Sequence, residues 1–166
     1  MNITFNLEAR EVFNDVKMNT SYIAERTDRF DDIVFDEEYT ALFHNFFMEA
    51  RSVMASRISS NILEFESDGN AGFFVDRQDY AEERDFIITL SLPDDWKKYL
   101  RRYVYTEMRA FATAYVIYRW LVDKIPPVQA VTVRHWMEEY ESHLDNIVRS
   151  LEKRMTKPRI RPCMPW

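Results

Sequence analysis

The sequence predicts a mainly α-helical single domain: a four-helix bundle-like core, a β-hairpin between the second and third helices, and an extended C-terminal arm. Three observations predict it. Apolar residues recur at three- and four-residue spacing over four long stretches. Only 2 Gly occur in 166 residues, both between positions 67 and 72, whereas a β-rich fold would need many turn glycines. One window, 86–92, alternates with a period of two instead. A chain of this length is one domain, and it buries roughly 70% of its unfolded surface without needing a disulfide or metal to stand up.

The first helix is predicted over 7–26, where Ala9, Val12, Phe13, Val16, Thr20 and Ile23 share a face. The acidic stretch 28–38 reads as a loop ending in a helix start. Asp36 is the expected N-cap, with Glu37 and Glu38 in the favourable first turn. The second helix, 37–62, carries the stripe Tyr39, Leu42, Phe43, Phe46, Phe47, Ala50, Val53, Met54, Arg57 and Ile58. Residues 86–92 place Phe86, Ile88, Leu90 and Leu92 on one face, and a hairpin over 73–92 with the apolar run 73–75 is expected. Its connector, 76–85, is charged and should face solvent.

The third helix, 94–124, presents Trp96, Tyr99, Leu100, Tyr103, Val104, Met108, Phe111, Ala112, Tyr115 and Val116. Pro126 and Pro127 end it. Tyr105, Tyr118 and Trp120 fall off its main face, which makes it either central in the bundle or shared with another subunit. The fourth helix, 128–155, carries Val133, Trp136, Met137, Tyr140, Leu144, Ile147, Val148, Leu151 and Met155. The domain thus spans 1–156. Three prolines within 158–166 forbid a helix and predict an extended basic arm over 157–166.

Motifs of catalysis do not emerge. The glycines cannot build a phosphate cradle, and no serine lies in a Gly-x-Ser-x-Gly elbow. Cys163 stands alone, which fits a reducing compartment. The acidic residues of 28–38 lack the spacing of a calcium loop. His135, Glu139 and His143 lie at i, i+4 and i+8, and could ligate zinc or iron. Positions i and i+8 are about 12 Å apart along a helix, however, too far to share one ion without help from another helix such as that bearing His44. The expectation is therefore no catalytic, cofactor-binding or metal residue, and no cofactor. The first eight residues lack a basic start and an apolar run, and no window reaches the length of a membrane span, so a cytoplasmic location without membrane partners is expected.

Charge is distributed unevenly. The whole chain carries −6, but 149–166 has six basic residues against one acidic, a net of +5, which leaves −11 on the first 148. An acidic body disfavours nucleic acid, and a cationic arm is attracted to the body of an adjacent copy. Arg159, Ile160, Arg161 and Trp166 are the expected arm contacts with a neighbouring protein.

The segments Asn6-Leu7-Glu8-Ala9-Arg10-Glu11-Val12-Phe13 and Phe46-Phe47-Met48-Glu49-Ala50-Arg51, with the basic end Lys157-Pro158-Arg159, look similar to short prophage proteins. With the order of elements, the chain resembles the small head–tail connector (adaptor or head-completion) proteins of tailed phages and prophages. The resemblance implies a helical bundle with an insertion and an arm, assembling as a ring between portal and tail. It implies a non-enzymatic virion-assembly subunit, homo-oligomeric, in the host cytoplasm or the virion. That family has no catalytic motif, so no functional residue is carried over, and the connector 76–85 departs from its pattern. Two rivals stand beside it. One is a metal-dependent helical-bundle enzyme using His44, His135, Glu139 and His143; the other is a small dimeric regulatory module with the third helix at its interface.

Overall fold

The N-terminal residues alternate, Ile3, Phe5 and Leu7 against Asn2, Thr4 and Asn6, and they form a strand rather than a prelude to the first helix. A computed structural model describes residues 1–27, 30–58, 86–125 and 130–153. The order is β1 (Asn2–Leu7), α1 (Ala9–Thr27), a short turn α2 (Phe30–Ile33), α3 (Thr40–Arg57), β2 (Phe86–Ser91), α4 (Arg101–Lys124) and α5 (Ala130–Leu151). The fold is mainly helical, and the described residues hold four long helices and one small antiparallel sheet.

In that sheet β2 pairs with β1, from Asn2 opposite Ser91 to Leu7 opposite Phe86. The expected strand at 86–92 is present, but its described partner is β1; the expected partner 73–75 lies outside the described residues. The pairing has a plain cause. Both strands bury alternate residues, and Ile3, Phe5, Leu7, Phe86, Ile88 and Leu90 together form one apolar face against the helices. A slip by one residue would turn that face to water.

α4 is central. It packs against α1, α2, α3, α5 and β1. Ten of its residues are buried, among them Val104, Met108, Phe111, Val116, Ile117 and Leu121. Trp120, expected off the main face, is also buried, because a helix enclosed on several sides has no single core stripe. Its indole N–H donates to the Ile33 carbonyl at 2.7 Å and its ring stacks edge-on to Phe35 at 4.8 Å. Pro93 to Leu100, expected as the first turns of the helix, form a turn and a single 3-10 turn instead. Trp96 is fully buried there and donates to the Ser150 carbonyl at 2.9 Å, tying this entry to the end of α5. Tyr99 and Tyr103, expected in the core, are 71% and 42% exposed: Tyr99 lies in the 3-10 turn before α4, and Tyr103 lies within α4 beside the buried side that runs through Val104 and Met108.

Asp36 caps as expected, its Oδ1 accepting from the Glu38 N–H at 3.0 Å, on a 3-10 turn that leads into α3. Thr20 sits buried in α1 because its hydroxyl is fully used: it donates to the Val16 carbonyl and accepts from the Phe35 N–H. Among the described residues no helix is long and apolar enough to cross a membrane.

Candidate functional site

Several polar residues of the helices are spent on one another. Two Tyr-x-x-x-Arg pairs on α4, Tyr105 with Arg109 and Tyr115 with Arg119, each grip a carboxylate on a neighbouring helix. Residues i and i+4 lie one above the other on a helix, so phenol and guanidinium converge on one point. The pairs are ten residues apart, a rotation of roughly 80° around the axis, so they reach different neighbours. Tyr105 and Arg109 hold Glu11 of α1 at 2.9 and 3.1 Å. Arg109 also takes Asp15 in a two-pronged bond at 2.6 and 3.0 Å. Tyr115 and Arg119 hold Glu49 of α3 at 3.4 and 2.9 Å. Burial and the Glu49 charge push the Tyr115 phenol up to about 12. Hydrogen bonding to Asp15 raises the Arg109 guanidinium above the ordinary arginine value.

The histidines follow the same logic. His143 Nδ1 lies 2.7 Å from Glu107 of α4, which also accepts from Asn146 at 3.2 Å. His143 Nε2 lies 3.7 Å from Glu139. The two ring nitrogens point in opposite directions, so these carboxylates bracket the imidazole and do not converge on a shared point. His135 is exposed beside Trp136. His44 packs on Phe43 in α3 at the rim of a cavity of about 200 Å³ whose lining includes Arg10, Phe13, Asn14 and Glu37. The structure therefore brings His143 and Glu139 together but joins neither with His44. Among the described residues no three His, Cys, Asp or Glu side chains are grouped as metal ligands. Such an arrangement joins helices and neutralises charge. The arm residues Arg159, Ile160, Arg161 and Trp166 lie outside the described residues.

Among the described residues two further open surfaces occupy the two ends of α4. At its start a groove is lined by Thr4, Asn6, Lys98, Tyr99, Arg101 and Arg102. At its end another mixes the apolar Val122, Val133 and Met137 with Tyr118 and the charged Asp123, Lys124 and Arg134. Val131, beside this second groove, is 79% exposed, and Val122 and Met137 are each 38% exposed. A 24-residue helix separates the two by about 36 Å. The sequence signal for the first is the run Lys97-Lys98-Tyr99-Leu100-Arg101-Arg102, in which helical periodicity places the tyrosine in the core. Nothing in the residues 118–137 distinguishes surface from core without knowing which neighbours α4 has.

Arg51 is a further case of a polar group within the core. It is 5% exposed, lies over the Phe86 ring at 5.6 Å, and burial lowers its guanidinium to about 10. None of the family models, curated proteins or solved structures compared with the chain matches it.

Proposed function

We propose that this protein is a non-enzymatic assembly subunit of the head–tail connector kind, working through protein–protein contacts in a head-to-tail ring. The observation that carries the proposal is the pair of unlike open surfaces at opposite ends of α4 among the described residues, one basic and aromatic, the other mixing exposed apolar side chains with charges of both signs. Heterologous contacts require two different patches on one subunit, and rings close when the rotation between copies allows. Exposed valines and a methionine beside a groove are the composition of a contact surface. The Tyr–Arg–carboxylate clips support the same reading, because they spend charged groups on rigidity between helices. The arm, through Arg159, Ile160, Arg161 and Trp166, supplies a second contact on the acidic body of a neighbour.

The rival dimer built on the third helix loses ground, since α4 is enclosed by other elements of its own chain along its middle. Sedimentation of the full chain over a range of concentrations tests the proposal. Val131→Glu and removal of residues 157–166 should each reduce association. A two-fold dimer that survives both changes would overturn the ring. Flanking genes for portal, capsid or tail proteins are the expected setting, and a metabolic operon would remove the connector assignment.

A further inference from the structure

Among the described residues the outer edge of β1 is unpaired along the basic groove, and we infer that it accepts an extended acidic peptide of a partner protein as a third strand. The register shows which backbone groups are available. Leu92 donates its N–H to the Met1 carbonyl at 2.8 Å, which makes these two a hydrogen-bonded pair. Antiparallel ladders alternate, so Ile3, Phe5 and Leu7 bond to β2, whereas Asn2, Thr4 and Asn6 aim their N–H and C=O groups away from it. Two contacts agree with this assignment. The Thr4 and Thr89 hydroxyls meet at 2.9 Å, as the closer side chains of a non-hydrogen-bonded pair do. Arg101 of α4 donates from Nη2 to the Thr4 carbonyl at 3.3 Å, reaching it from the side opposite β2. Among the described residues no strand pairs with that edge.

Natural proteins guard long open edges with charge, cover or bulges, and they use unguarded ones for strand addition. Here Arg101 guards the middle with one long bond, which an incoming amide can replace. The chemistry of the partner follows from the charges. Lys98, Arg101 and Arg102 are exposed beside the edge, and among the described residues none of them forms a salt bridge. Three cations on one edge of a chain with a net charge of −6 form a local field of opposite sign to the body. An extended segment with carboxylates on alternate residues satisfies both the cations and the backbone groups. A basic segment is repelled, so the arm of a neighbouring copy is excluded from this edge. Tyr99, 71% exposed, adds an aromatic surface at the end of the groove. Phosphates of a nucleic acid would meet the same cations, but they would leave the row of amides and carbonyls unused and would face an acidic body.

Fluorescence anisotropy on the full chain tests this with four labelled probes. These are a seven-residue peptide alternating threonine or valine with glutamate, the same peptide N-methylated at alternate amides, its lysine counterpart, and a single-stranded oligothymidylate. The glutamate peptide should bind, and N-methylation or the Lys98→Glu/Arg102→Glu double variant should each weaken it on the order of tenfold. Hydrogen exchange of the Thr4 and Asn6 amides should slow when that peptide is added, a readout that needs no variant. Equal binding of the N-methylated probe, tighter binding of the lysine peptide or the oligothymidylate, absence of binding, or unchanged exchange at Thr4 and Asn6 would each overturn the inference. The same groove figures in the ring proposal, which is read by sedimentation without any peptide, so the failure of one reading is distinguishable from the failure of the other.

Discussion

Replacing Trp120 by phenylalanine removes a bond and a volume at once, and both can be estimated. The indole N–H is the donor to the buried Ile33 carbonyl at 2.7 Å, and phenylalanine leaves that carbonyl without it. An orphaned buried acceptor costs about 1–3 kcal/mol. Trp120 is 3% exposed and sits against Phe35 and Tyr39, with ring centroids at 4.8 and 4.7 Å. Losing part of the ring system in such packing adds roughly 1 kcal/mol of transfer and cavity cost. The sum is about 3 kcal/mol, or roughly 6–12 °C in Tm for a domain of this length. Urea denaturation followed by far-ultraviolet circular dichroism measures it, with the slope m unchanged if only stability is altered. Trp136→Phe, at a half-buried site on α5, serves as a control and should cost less than about 1 kcal/mol. A Trp120→Phe loss no larger than the control would refute the placement of Trp120 as the anchor of α2.

Thr113 is 7% exposed and its hydroxyl has no hydrogen-bond partner among the described residues, so Thr113→Val should stabilise the fold by about 1 kcal/mol, seen as a higher urea midpoint. A double-mutant cycle on Arg109→Met and Asp15→Asn should give a coupling of about 1 kcal/mol that shrinks in high salt, because the two-pronged pair is only partly buried. The Tyr115 phenol, at about 12 in the folded chain against an ordinary value near 10, makes a pH prediction. In the unfolded chain it loses its proton first, so its contribution to stability is complete below about pH 10 and is lost as pH rises toward 12. Tyr115→Phe should lessen the alkaline fall in the urea midpoint while changing it little at neutral pH.

The helices were legible because their signal is local. Phe43, Phe47 and Met54 repeat at spacings that belong to α3, and Leu144, Ile147 and Leu151 do the same for α5. The strand β1 was equally legible in form, since Ile3, Phe5 and Leu7 alternate with polar residues. A strand of six residues is identified by its partner, and here the partner lies far along the chain. Tyr99 and Tyr103 are exposed for two reasons. Extending the period of α4 back to Asp94 puts Tyr99 in the core, whereas Pro93 and Trp96 build a turn whose indole is held by Ser150 of α5; Tyr103 lies within α4, and only the neighbours of that helix decide that its buried side runs through Val104 and Met108 instead. The two Tyr-x-x-x-Arg pairs could have been read as a repeated device on one helix. That they grip Glu11 and Glu49 depends on which helices flank α4, a tertiary fact that no spacing contains.

The β1–β2 pairing also sets a timetable for the nascent chain. β1 leaves the ribosome with its mate still untranslated, some eighty residues behind. At roughly 5–20 residues per second, the delay before β2 exists is about 4–16 s. Throughout it the greasy side of the first strand, Ile3, Phe5 and Leu7, has no sheet to join, and non-local pairings of this kind are the slow steps of folding. Decoding speed between α3 and β2 therefore governs how long the chain is open to wrong associations, and slow codons there should lower the yield of native protein without changing its final stability.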